Sequence, residues 1–100
     1  MTNILLVCSG GMSTSMLAER MQKEAEGRGL DAKIWAVGEQ VADNSDEIKA
    51  DVILVGPQMR FKVPKIKKSH PDIPVDSIDM RDYGMMNGAA VLDKALSLIG

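Results

Sequence analysis

Short hydrophobic runs alternate along the chain with longer segments in which apolar residues recur at helical spacing. Ile4–Val7 and Val52–Val55 are continuous apolar runs, the pattern of strands that are covered on both faces at the centre of a parallel sheet. Ala32–Val37 and Val75–Asp79 mix apolar and polar residues, which is typical of edge strands. These four segments are the predicted strands.

The segments between them predict helices. In Ser13–Glu26 apolar residues recur at every fourth position and charged residues fill much of the rest, and Gly27–Gly29 ends the helix. A weak or interrupted helix is predicted near Glu39–Ala50, a short one over Phe61–Ser69, and a well-patterned closing helix over Ala89–Ile99.

Strands and helices therefore alternate, with connections too long for hairpins. Right-handed crossovers then give an α/β fold, a single doubly wound domain over residues 1–100 with a four-stranded parallel sheet and helices on both faces. Placing the two apolar strands in the middle gives the strand order 2-1-3-4. Ligands of such sheets bind where the winding reverses, here between the loops Cys8–Ser15 and Gly56–Met59.

Composition narrows the function classes. The length of 100 residues suits one core. A formal charge of −2 and an aromatic content of 3% give no general argument for nucleic-acid binding. One cysteine and one histidine allow neither an internal disulfide nor a usual metal cluster. Because no apolar run approaches the roughly 20 residues that span a bilayer, and no basic secretion-signal region opens the chain, we expect a cytoplasmic protein.

The loop after the first strand carries the candidate chemistry. Cys8 ends the strand, Gly10 and Gly11 follow, and the hydroxyl residues Ser13–Ser15 open the helix. Glycines let successive backbone N–H groups turn inward around an anion, and the helix start adds unpaired N–H groups and the positive end of its dipole. The same field favours a nucleophilic thiolate. The pattern predicts a phosphoryl group carried on the sulfur of Cys8.

Each feature also has an ordinary structural interpretation. A lone cysteine after an apolar run is commonly a core residue, and two glycines before a serine-rich helix start are common turn and cap residues. Their conjunction at the predicted switch point favours a functional site.

Three segments, Cys8–Ser15, Val55–Gln58 and Asp82–Gly84, resemble the lactose/cellobiose (diacetylchitobiose) family of enzyme IIB of the bacterial phosphoenolpyruvate-dependent sugar phosphotransferase system. The resemblance implies a topology like that of the low-molecular-weight tyrosine phosphatases. It also implies that a phosphohistidine of enzyme IIA donates a phosphoryl group to the IIB cysteine, which passes it to a sugar imported by the membrane protein IIC. The implied sugar is a β-linked disaccharide such as cellobiose or chitobiose.

Carried over by match, Cys8 is the phosphorylated residue, Pro57 and Gln58 lie near the site or the docked partner, and Tyr83 lies close by in the loop after strand four. The residues that would surround the phosphate, called here the phosphate cradle, are Ser9, Gly10, Gly11, Met12, Ser13, Thr14 and Ser15. The resemblance implies no metal or other cofactor, no nucleic-acid partner, and peripheral association with the membrane through IIC.

Two alternatives stay open. Low-molecular-weight phosphatases place an arginine six residues after the cysteine to clamp the phosphate; here that position is Thr14, and the next arginine is Arg20. The missing clamp, and the lack of a second cysteine, disfavour a phosphatase or arsenate-reductase-like hydrolase. Asp79 or Asp82 could supply an acid, although cap and loop roles are the default interpretation of these two carboxylates. The other alternative is a regulatory module that binds an anion without chemistry.

The segment Arg60–Lys68 is rich in basic residues. A solvated helix face is the default interpretation, and attraction to an acidic partner is the alternative. His70, just before Pro71, is predicted to lie at the surface.

Overall fold

A computed structural model describes residues 2–8, 12–38 and 49–99, and in the first helix it describes side chains from Thr14 onward. None of the helices in these ranges combines the length and the apolar character needed to cross a membrane.

The sheet has the predicted composition and order. Its strands are β1 (Thr2–Cys8), β2 (Ala32–Gly38), β3 (Val52–Val55) and β4 (Val75–Ser77). All neighbouring pairs are parallel, in the order β2-β1-β3-β4. The predicted α/β fold and the strand order 2-1-3-4 are therefore confirmed, and the carboxyl ends of β1 and β3 lie side by side.

The helical segments surround this sheet. They are α1 (Met12–Gly27), a 3-10 helix (Pro57–Lys62), α2 (Val63–Ser69), α3 (Met80–Gly84) and α4 (Gly88–Ile99). The first and last helices agree with the predicted ones to within one residue at each end.

The connections differ more from the prediction. The helix predicted over Phe61–Ser69 begins earlier, as a 3-10 helix from Pro57 that is kinked at Met59, and becomes α-helical only at Val63. The predicted final strand stops at Ser77, and α3 replaces the expected loop. Of the helix predicted near Glu39–Ala50, residues 39–48 lie outside the described part of the chain, and residues 49–50 are in no helix.

The prediction that His70 lies at the surface is wrong, because the residue is only 7% exposed. It ends α2, where its backbone N–H donates to the carbonyl of Ile66 and its own carbonyl accepts from Ile73. This tight turn holds the residue against the protein instead of at the surface.

Two hydrophobic layers cover the sheet, and the pleat of β1 divides its residues between them. Ile4 and Leu6 face a layer built with α1 and α4. Leu5 and Val7 face the opposite layer, to which Met59 and Ile66 belong. The central strand is therefore covered on both sides, as its unbroken apolar run predicted.

Candidate functional site

Cys8 is the last residue of the central strand. It lies opposite Gly38 on one neighbouring strand, and on the other side the N–H of Gly56 donates to the carbonyl of Val7 at 2.8 Å. Cys8 is 7% exposed, whereas Val7 before it is fully buried. Cys8 therefore still counts as a buried residue, and it lies at the edge of the core at the carboxyl end of the strand.

Gly56 leaves space beside Cys8. A β-carbon at Gly56 would lie 4.0 Å from the β-carbon of Cys8, 3.6 Å from the carbonyl oxygen of Val7 and 3.1 Å from Oε1 of Gln58. Pro57 is buried and Gln58 is exposed. The Gln58 amide and Cys8 thus both border the volume that a larger residue at position 56 would fill.

Thr14 and Tyr83 form the hydrogen bond that closes the start of α1 against the element after β4. The Thr14 hydroxyl lies 3.0 Å from the Tyr83 hydroxyl, and either oxygen can donate. Thr14 is 0% exposed. Because each hydroxyl has one proton and two lone pairs, a single bond between them leaves one O–H of the pair able to donate elsewhere. The pair can therefore offer a neutral donor to a bound anion.

Helix α3 positions Tyr83. The Asp79 side chain accepts a hydrogen bond from the backbone N–H of Arg81 at 2.7 Å and caps the helix, a common role for aspartate. The Tyr83 N–H donates to the Asp79 carbonyl, and Ile78 just before the cap bonds to the carbonyl of Val55. Tyr83 packs against the layer of α1 and α4. Tyr83 thus lies in a capped helix tied to β3 and not in the predicted loop.

The structure describes only some of the remaining residues of the predicted site. Ser9, Gly10 and Gly11 lie outside the described residues. Met12 and Ser13 open α1, and only their backbone is described; Ser15 is exposed on the same helix. Within the described residues, the structure therefore brings the predicted site residues together in two groups. Cys8 and Gln58 lie beside Gly56, and Thr14 is hydrogen-bonded to Tyr83.

Arg20 does not occupy the position of a phosphatase arginine in the sequence. It lies two turns into α1 and borders a cleft with Asn87 and Gly88 at the start of α4. Sequence reasoning did not identify this contact between the two helices, nor the space beside Gly56. The sequence favoured cap and loop roles for Asp79 and Asp82 over catalytic ones, and the cap role of Asp79 is confirmed.

Comparison with known proteins identifies the family. Residues 3–94 match the family model described as "PTS system, Lactose/Cellobiose specific IIB subunit". The oligo-beta-mannoside-specific EIIB component of Bacillus subtilis (strain 168) is 46% identical over 101 residues, covering 99% of this chain and 97% of that protein. The cellobiose-specific EIIB component of Lactococcus lactis subsp. lactis (strain IL1403) is 41% identical, covering 96% and 94%.

Solved structures agree. The cellobiose-specific IIB component from Borrelia burgdorferi superposes with a TM-score of 0.72 at 39% identity, covering 98% of this chain and 91% of that one. The lactose-specific IIB component domain from Streptococcus pneumoniae gives a TM-score of 0.82 over 96% and 95% of the two chains. Its 17% identity makes that second likeness a statement about the fold alone.

The protein is therefore a phosphoryl carrier, a component of a sugar phosphotransferase system. The chain belongs to the lactose/cellobiose-specific IIB family of that system. Membership implies, in general terms, that it works with IIA and IIC components. Sugar specificity varies among its relatives, one of which is the galactose-specific EIIB component of Lactococcus lactis subsp. cremoris (strain MG1363), at 41% identity.

Proposed function

We propose that Cys8 accepts a phosphoryl group from a phosphohistidine of enzyme IIA and donates it to a sugar during import through IIC. The observation that carries the proposal is the position of Cys8. It ends the central parallel strand, at the edge where the winding of the sheet reverses, beside the space left by Gly56.

The proposed transfer has two displacement steps. In the first, the Cys8 thiolate attacks phosphorus, an S–P bond forms, the N–P bond of the phosphohistidine breaks, and the electron pair returns to the imidazole nitrogen. In the second, a sugar hydroxyl oxygen attacks phosphorus while its proton passes to a base, the S–P bond breaks, and the thiolate leaves. Both steps depend on in-line positioning and on donors that stabilise the phosphoryl oxygens.

The surroundings of Cys8 suit such a carrier. We propose that the backbone of the phosphate cradle, Ser9–Ser15, holds the phosphoryl oxygens. Gln58 is exposed and borders the same space next to Gly56, and we assign it to the rim on which a partner docks. Pro57 is buried, and we assign it to shaping the loop near the site. Tyr83 would act through its bond to Thr14, which fixes the last part of the cradle.

The residue at position 14, Thr14, favours a carrier over a hydrolase. A phosphatase of similar topology would have an arginine there, whereas Thr14 bonds to another neutral hydroxyl. Asp79 caps α3, which gives that carboxylate a structural role and leaves it less suited to protonate a leaving group. Neutral donors hold a phosphoryl group without activating water against it.

For the sugar, we propose a β-linked disaccharide such as cellobiose or chitobiose. Relatives named for oligo-β-mannoside and for cellobiose support this class, and the galactose-specific relative supplies the competing candidate. We further propose that the protein acts in the cytoplasm and reaches the membrane through IIC.

The experiment that tests the carrier is phosphorylation by the phosphorylated IIA component, followed by intact-mass and peptide analysis. One phosphoryl group on the peptide that contains Cys8 is expected, and its release by iodine would identify a thiophosphate. The matched variant Cys8→Ser should fold and bind IIA but block transfer to sugar. A wild-type protein that stays unmodified would contradict the proposal and would favour a binding module.

Two further assays address the alternatives. Incubation with an aryl phosphate in the absence of any partner should give no turnover; sustained turnover would indicate a hydrolase. Membranes that contain the cognate IIC, supplied in turn with cellobiose, chitobiose and galactose, should phosphorylate a β-linked disaccharide. Exclusive phosphorylation of galactose would contradict the sugar assignment and leave the carrier intact.

A further inference from the structure

A strongly basic segment lies on the surface opposite α1 and α4. Arg60–Lys68, called here the basic segment, contains five of the 12 basic residues of the chain and no acidic residue, although the net charge of the chain is −2. The charge is thus concentrated locally on an otherwise mildly acidic protein.

The fold turns these charges outward. Ile66 is buried and packs in the layer beneath the sheet with Met59. At about 100° per residue, Lys68 lies roughly opposite Ile66 on α2, and Lys67 and Lys68 are exposed. Arg60 is exposed in the preceding 3-10 helix. The basic segment therefore presents a cationic surface to solvent while one apolar face anchors it.

An exposed aromatic ring lies within this surface. Phe61, the one phenylalanine of the chain, is 71% exposed. Covering a large exposed apolar side chain with a binding surface is favourable, because apolar area is removed from water. Phe61 is next to Arg60 and Lys62 in the sequence. A combined cationic and aromatic surface points to a binding role.

We propose that the basic segment and Phe61 bind the surface of a membrane that contains anionic lipids. Juxtamembrane lysines and arginines are attracted to anionic headgroups, and a phenylalanine inserts at the interface. Four of the five cations are lysines, which are depleted from protein–protein interfaces, where arginine is enriched. The composition thus favours a lipid surface over an acidic protein surface. This interaction does not depend on the chemistry of Cys8.

One acidic residue, Asp76, lines a cleft together with Lys67 of the basic segment. Its carboxylate is 3.6 Å from the ammonium group of Lys94. Among the described residues Asp76 thus pairs with Lys94 and not with Lys67, and the charge of Lys67 stays available to an anionic surface.

The test is co-sedimentation of the full chain with vesicles. Vesicles of equal parts phosphatidylcholine and phosphatidylglycerol should bind the protein at low salt, and pure phosphatidylcholine vesicles should not. Added salt should weaken binding, because surface charges are screened. Failure to sediment with the anionic vesicles at low salt would overturn the proposal.

Matched variants locate the binding surface. Arg60→Gln/Lys67→Gln/Lys68→Gln should lower the partition coefficient by about fivefold per charge, on the order of a hundredfold in total. Lys62 and Lys65 stay unchanged in this variant, because each interacts with other groups of the fold. The control Arg20→Gln/Lys23→Gln/Lys49→Gln removes the same charge from exposed sites elsewhere and should bind nearly as well as the wild type. Equal losses in both variants would indicate a general charge effect and refute the assignment.

Phe61→Ala tests the aromatic contribution. It should weaken binding to anionic vesicles by about tenfold, because the ring no longer inserts, while the salt dependence stays unchanged. If the charge variant keeps its vesicle binding but loses phosphoryl transfer from IIA in lipid-free solution, the segment docks an acidic protein and the lipid proposal is wrong.

Discussion

The hydroxyl groups of Thr14 and Tyr83 are 3.0 Å apart although the two residues are 69 positions apart in the chain. The bond joins the first turn of α1, where the predicted phosphate cradle ends, to the helix that follows β4. Because Thr14 is fully buried, its hydroxyl depends on a protein partner to compensate for the loss of water. The start of α1 and the position of α3 are therefore coupled.

Replacing Tyr83 with phenylalanine should expose this coupling. The ring can keep its packing against α1 and α4, but the Thr14 hydroxyl loses its partner, which costs about 1 to 2 kcal/mol of unfolding free energy. We expect the rate of phosphorylation by IIA to fall as well, since the end of the cradle is less firmly held. Urea unfolding and the transfer assay measure the two effects.

A double-mutant cycle with Thr14→Val provides the control. If the two hydroxyls act as a pair, the double variant should be less destabilised than the sum of the single variants, by roughly 0.5 kcal/mol or more. Strict additivity would show that the bond contributes nothing to stability.

Gly56→Ala tests the space beside Cys8. The new β-carbon would lie 3.1 Å from Oε1 of Gln58, the movable end of an exposed side chain, and at ordinary contact distance from Cys8. The backbone of Gly56 has φ −55 and ψ 146, which any residue can adopt. Stability should therefore change by less than about 1 kcal/mol, while phosphorylation of Cys8 slows because a methyl group crowds the site and displaces Gln58.

Gln58→Ala separates the two causes of that slowing. If displacement of Gln58 is what matters, Gln58→Ala alone should slow phosphorylation as much as Gly56→Ala does. If crowding matters, Gln58→Ala should be nearly normal. Wild-type rates in both variants would exclude a role for this side of the site in transfer.

The sequence predicted best the strands that are buried on both faces and the long helices that have one apolar face. Ile4–Val7 and Val52–Val55 predicted central strands, because short unbroken apolar runs are typical of strands covered on both faces. Helix α3 was missed, because its five residues depend on the Asp79 cap and on the packing of Tyr83 more than on intrinsic propensity.

Contacts between segments that are far apart in the chain could not be predicted from the sequence either. The bond between Thr14 and Tyr83 depends on how the chain closes around the sheet. The predicted surface position of His70 was wrong, since the turn after α2 holds it inward. The choice of Cys8 as the reactive residue depends on loop pattern and family resemblance, and stays a prediction.

Gly88→Ala tests the packing of α1 against α4. A β-carbon there would lie 2.9 Å from the carbonyl carbon of Arg20 and 3.0 Å from the amide nitrogen of Met21. Because backbone atoms cannot yield as a flexible side chain does, we expect a loss of about 1 to 3 kcal/mol in unfolding free energy. Gly27→Ala is the matched control, since no atom of the described residues lies within 4 Å of a β-carbon placed there; it should be neutral or stabilising. Similar unfolding midpoints for the two variants would contradict the close helix contact.

Asp79 allows its structural and chemical roles to be separated. Its side chain accepts the N–H of Arg81 at 2.7 Å, so Asp79→Ala should cost about 1 kcal/mol of unfolding free energy and loosen the helix that positions Tyr83. Asp79→Asn keeps an oxygen acceptor, and asparagine caps helices about as well as aspartate, but it removes the ionisable carboxyl group. If Asp79 is only a cap, the asparagine variant should match the wild type in both stability and phosphoryl transfer, and the alanine variant should be reduced in both. An asparagine variant that is fully stable but inactive in transfer would instead assign the carboxyl group a chemical role.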